Sequence, residues 1–297
     1  MDYCGVFLMA VLGALLLTGA ALALRWAGTP YRSWTPRRTG EQDDREVGVP
    51  PLRDTALRYL RGVAVGLAAG FWTGALITGP AVRLIMRLLA VTGGDDAQGR
   101  VTEANEVVGE ITAEGTLGLI MFGGVLPAML SGAIYFAVRR WLPAGRVGGL
   151  VFGGLHLIVA ATRLDPLRPD NVDFDLVGPG WLSVLTFGAT AVVHGMAITA
   201  FANRFSAVFP QTTADWRGRA LAWAPLVLPA LLLVPLAFAL IPVAVGLVLV
   251  LAGSRIEWAR RLARSPRVLI AGRVIIALVA LIFLPGAISD LRDVVVR

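Results

Sequence analysis

The chain has 297 residues, a net charge of +7 and 56% hydrophobic residues, and every one of its 27 basic residues is arginine. Without lysine there is no P-loop phosphate lysine, Schiff base or Ser–Lys dyad; with Cys4 alone there is no disulfide or cysteine metal site. With His156 and His194 as the only histidines, HExxH-type sites are also excluded.

The apolar residues fall in uninterrupted runs of about 20, the length that spans about 30 Å of hydrocarbon. In lipid each backbone amide must be bonded within its own segment, so the expected fold is all-α, a polytopic transmembrane helical bundle of about eight spans. The arginines cluster between the apolar runs, which is the pattern of membrane topology rather than of nucleic-acid binding.

The first span covers residues 4–24. Asp2 precedes it, no arginine does, and Arg25 follows, which reads as a retained anchor with its N-terminus outside rather than a signal peptide. Residues 25–57 form a linker rich in proline and arginine, and 58–297 the multi-span domain. The second helix is expected from near Thr55 to Thr92, kinked at Pro80. Its Gly62, Gly66, Gly70 and Gly74 recur at i, i+4, a face that lets another helix approach closely. That face serves packing within the bundle or, alternatively, receives other membrane proteins.

Arg83 and Arg87 follow one turn apart in otherwise apolar sequence. The next segment, 93–114, is acidic. If it is helical, Glu103, Glu106 and Glu110 share one face and are the nearest partners for the arginines, since unpaired charge at membrane depth is costly. These five residues form a candidate charged site, read either as a structural ion-pair lattice or as the entrance for a charged solute or ion.

The third span is Gly115–Val138, followed by a turn with Arg139, Arg140 and Arg146, and a short fourth span over 147–162. The loop 163–179 is acidic again. Its aspartates do not match EF-hand spacing, so an ordered loop is expected there. The fifth span is Gly180–Ala202. His156 and His194 lie at similar depths on these antiparallel helices. Three readings follow: buried neutral histidines, a bis-histidine haem b site, or a proton or metal relay.

The run 221–253 is about 50 Å long as a helix, too long for one upright crossing, and carries Pro225, Pro229, Pro235 and Pro242. A hairpin turning between Pro235 and Pro242 keeps the arginines of 254–267 on the same side as the other basic loops; a single crossing would lower the count to about seven. Residues 268–288 form the last span. Segments 25–57, 139–146, 203–219 and 254–267 are thus expected in the cytoplasm of a bacterium, with the chain in its plasma membrane.

No catalytic constellation, metal or resident cofactor emerges. The first expectation is a non-enzymatic accessory or scaffold protein. The alternatives are a small-solute or ion transporter using Arg83, Arg87 and the Glu103, Glu106, Glu110 face, and a haem b redox protein held by His156 and His194. The expected partners are the lipid bilayer and other membrane proteins at the Gly62–Gly74 face, with no nucleic acid.

Overall fold

A computed structural model of the chain describes residues 3–33, 51–103, 105–209, 224–233 and 240–297. Among these the elements are helices: α1 Tyr3–Trp26, α2 Leu52–Thr92, α3 Ala113–Val138, α4 Gly145–Ala161 and α5 Gly180–Val208. They continue as α6 Val227–Leu233, α7 Leu240–Arg255, α8 Glu257–Arg264 and α9 Pro266–Val295. The fold is all-α. Five helices (α1, α2, α3, α5 and α9) are long and apolar enough to cross a membrane, or six if α7 and α8, bent by 106° at their junction, count as one span. The expected hairpin turn after Pro235 lies largely outside the described residues, as does most of the linker.

The helices sort their charges to two ends. At the acidic end, loops 93–112 and 162–179 meet each other and the last residues of α9: Arg297 pairs with Asp175 at 3.3 Å. At the basic end, Arg139 stacks 4.4 Å from the Tyr31 ring and Arg140 donates to the Ala263 carbonyl at 2.9 Å. There Arg61, only 6% exposed, donates to the carbonyls of Ser206, Phe209 and Arg32. The Ser206 and Phe209 carbonyls are orphan acceptors at the C-terminal end of α5, where the helix dipole also favours a cation.

Small residues set how closely the helices pack. Half of the apolar stretch of α2 and of α5 is buried, against 11% for α1 and 6% for α9, so the first two form the centre and the last two the rim. The glycine stripe of α2 lies against α3. Gly62 sits under the Phe136 ring, Gly66 faces the Gly132 carbonyl, Gly70 meets Ala128 and Met129, and Gly74 meets Val125. The close approach that glycine permits is therefore consumed inside the chain. Of the two uses expected for this face, packing within the bundle is the one these contacts display, with α3 lying against it. Gly153 of α4 and Gly195 of α5 make the equivalent contact on the other side of the bundle.

Three helical stretches widen to π geometry: Gly74–Thr78, Leu119–Val125 and His156–Ala161. The first two end just before Pro80 and Pro127. Proline removes one ladder hydrogen bond and its ring collides with the carbonyl one turn back. A wider turn relieves the collision without breaking the helix. A π stretch thus stands directly before Pro80, where a kink was expected, and α2 continues through it to Thr92.

Candidate functional site

The acidic end is closed by two loops whose shape glycine and asparagine dictate. Gly94, Gly99 and Gly109 have φ of 79°, 79° and 96°, and Asn105 has φ of 60°. This is the left-handed region that these two residue types tolerate best. The Thr102 hydroxyl accepts from the Glu106 amide at 3.1 Å, and Val101 bridges Val107. Residues 101–110 therefore fold as a tight turn, and helix begins only at Ala113, capped by Thr112, whose hydroxyl accepts from Gly115 N–H at 3.1 Å. The helical face expected for Glu103, Glu106 and Glu110 is corrected by this geometry: Asn105 and Gly109, both left-handed, interrupt the segment and cannot sit in a helix.

The three glutamates consequently go separate ways. Glu103 bonds the Arg168 guanidinium in the opposite loop, and its amide donates to Asp173 Oδ1 at 2.8 Å. The Glu106 carboxylate rests on Gly115 in the first turn of α3, where the helix dipole favours an anion. Glu110 offers its backbone carbonyl to Arg83 Nη2 at 3.5 Å. Arg168 also reaches Asp170 at 3.1 Å and Asp165 at 3.8 Å, and so ties the two loops together. Its hydrogen bond to Glu103 holds the guanidinium further into its charged range than usual.

Arg83 and Arg87 are held differently. Arg83 Nε donates to Thr116 Oγ1 at 3.0 Å, and Arg87 Nη1 to the Gly109 carbonyl at 3.2 Å. Among the described residues no carboxylate lies within ion-pair distance of either. The anticipated lattice of arginines and glutamates is replaced by two cations resting on neutral oxygens. Both line a cavity of about 550 Å³ between α2, α3 and the two loops. Its apolar wall includes Val82, Met86, Leu119, Phe122 and Phe187; Glu103, Glu106, Asp165 and Asp173 lie on the loop side.

Nearer the middle of the bundle, the His156 and His194 rings stack with centroids 4.5 Å apart and planes 27° from parallel. His194 is 2% exposed; its Nδ1 lies 2.7 Å from Thr78 Oγ1, and its Nε2 has no partner among the described residues. Depth matching in the sequence thus brings together residues that do meet in space. Bis-histidine ligation requires iron and a macrocycle between the two rings, with a nitrogen of each pointing at the metal. Rings stacked face to face at 4.5 Å leave no such gap, so this pair does not fit haem b.

Sequence reasoning missed Thr78, Thr116 and Arg168. For the two threonines, single polar residues in apolar runs, no signal distinguishes a site from a backbone-bonded hydroxyl. Arg168 had one, since it stands between Asp165 and Asp170. Comparison with protein-family models, with curated proteins and with solved structures gives no match, so the chemistry of the site carries the functional reading.

Proposed function

We propose that this chain is a multi-pass membrane protein that binds a small organic anion in the cavity at its acidic end, as the entry site of a transporter. One observation carries the reading: Arg83 and Arg87 both line one cavity and hydrogen-bond only neutral oxygens among the described residues, with the Glu106 carboxylate near Arg83 but not paired to it. Two guanidiniums one helical turn apart offer paired donors suited to a carboxylate or phosphate. The apolar wall suits the rest of such a solute, and the volume lies within the range of about 300–1,000 Å³ usual for small-molecule sites. The scaffold reading loses its main support, because the glycine face is already occupied by α3.

The arginine distribution supports an orientation in a bacterial plasma membrane with the basic end in the cytoplasm, the cavity outside and the N-terminus outside. Eight crossings follow if α4, α6 and α7 are spans. Below the cavity, the His156–His194 pair with Thr78 is the buried titratable cluster that would carry a proton alongside the anion.

The test is a thermal-shift titration of the full chain in mild detergent with benzoate, phenyl phosphate and, as a neutral control, benzamide. The reading expects stabilisation by the anions alone, lost in Arg83→Gln/Arg87→Gln. No shift up to millimolar anion, or a shift that survives in the double variant, sinks it.

A further inference from the structure

A second cavity, of about 570 Å³, opens between α4, α9 and the 139–144 turn at the basic end. Val151, Leu155, Ile158, Ile276 and Ala280 line it, with Gly154 adding width, since a Cβ there would meet nothing within 4 Å. One charged residue lies in this lining: Arg273 of α9.

Arg273 sits seven residues into α9, about 10 Å along the helix from its start. A guanidinium at such a depth costs several kcal/mol unless it finds a partner. Among the described residues Arg273 has neither an ion pair nor a hydrogen bond. The other guanidiniums of this kind, Arg61, Arg83 and Arg87, are each bonded to oxygens of the chain, whereas the Arg273 side chain is exposed on the face of α9. Exposed and unpartnered among the described residues, Arg273 is free to take an acceptor from outside the protein.

The surroundings select its chemistry. Trp141, at the mouth of the cavity, packs its indole on Gly272, and indole favours the membrane interface. Next to it runs α8, which turns 106° away from α7 and carries Arg260 and Arg261 together with exposed Trp258 and Leu262. This is the pattern of a helix lying in the interface on anionic lipid. Its single acid, Glu257, is already paired with Arg261.

We infer that the α4–α9 cavity is a binding site for an anionic glycerophospholipid of the adjoining leaflet. Its phosphate lies on Arg273 and one acyl chain lies along the apolar wall. The groove is open at the protein surface, its polar end is cationic, and its apolar part runs from that cation toward mid-bundle, which matches the polarity of a phospholipid. The site is separate from the anion cavity, and neither depends on the other.

Native mass spectrometry of the full chain, released from detergent with added phosphatidylglycerol or phosphatidylcholine, tests it. Phosphatidylglycerol should be retained at least tenfold more tightly than phosphatidylcholine. Arg273→Gln should erase that preference, Arg273→Lys should keep most of it, and Gly154→Leu should lower retention of both lipids by filling the groove. Arg83→Gln should leave lipid retention unchanged. Equal retention of the two lipids by the unaltered chain, a preference surviving in Arg273→Gln, or a lipid-free dimer closing the groove overturns the inference.

Discussion

Gly66→Ala separates close helix packing from mere helix propensity. A Cβ built on Gly66 would lie 2.5 Å from the Gly132 carbonyl oxygen and 3.1 Å from its carbon, both backbone atoms of α3. Ordinary contact starts near 3.4 Å, so α2 and α3 must part by about 0.9 Å at this point. Side chains cannot yield here, because the obstructing atoms belong to a helix ladder. Overpacking of this kind costs about 1–3 kcal/mol, and the parting also weakens dispersion contacts along the face from Gly62 to Gly74. The helix-propensity gain of alanine, at most about 1 kcal/mol, works in the opposite direction. The expected net effect is a loss of about 2 kcal/mol. Gly13→Ala in α1 is the control: its Cβ meets nothing within 4 Å, so only the propensity gain remains, between 0 and about 1 kcal/mol. Equilibrium unfolding in mixed micelles, followed by circular dichroism, reads both. If Gly66→Ala is as stable as the unaltered chain, α2 and α3 do not approach as described and the packing argument fails.

Thr78→Val removes the partner of His194 Nδ1 inside the bundle and should cost about 1–3 kcal/mol in the same unfolding assay, the usual penalty for orphaning a buried polar atom. Arg61→Met keeps the apolar stem but strands the carbonyls of Ser206 and Phe209. Relief from burying a charge offsets part of the loss, leaving a net cost of about 2 kcal/mol and faster hydrogen exchange in the last turn of α5. Arg168→Ala breaks three partly exposed pairs and should cost only about 1 kcal/mol globally, yet raise exchange across residues 99–110 and 165–175 together. On a Cys4→Ser background, Asn105→Cys and Arg146→Cys should be labelled by a membrane-impermeant maleimide from opposite sides of sealed vesicles. Labelling of both from one side would rule out the two-ended topology.

The helices were legible because their cause is local: a long apolar run in lipid has no other way to bond its amides. For the same reason the start and end expected for the second helix, near Thr55 and at Thr92, differ from α2 by only a few residues at one end. The depth of a residue on a helix is also local arithmetic, which is why His156 and His194 could be matched before their rings were seen to touch. One feature failed because local rules compete. Spacing alone made 101–114 helical, but Asn105 and Gly109 take left-handed backbone, and Thr102 bonds the turn it begins. At Pro80 proline spelled a disturbed helix but not its form, a π stretch over the preceding turn. The partners of Arg83 and Arg87 were not legible at all. They depend on where carbonyls point in a loop, and a side-chain pattern does not encode that.

The two π stretches of α2 and α3 lie between the cavity lined by Arg83 and Arg87 and the histidine pair. Leu119 and Phe122 belong to the stretch in α3 and line the cavity; Thr78 ends the stretch in α2 and holds His194. The two stretches pack on each other at Gly79 and Gly124, where a Cβ on Gly124 would lie 2.6 Å from Gly79 Cα. A solute that displaces Phe122 therefore pushes on backbone in direct contact with the turn that positions Thr78. Extra-wide turns can shorten to α geometry by passing one residue along the helix, a small rearrangement for a packed core. On the proposed function, Gly124→Ala should wedge this joint. Anion binding at Arg83 and Arg87 should persist within about threefold while any anion-driven proton uptake into proteoliposomes is lost. Proton uptake persisting at full rate in a folded Gly124→Ala would show that the two sites are not joined through the π stretches.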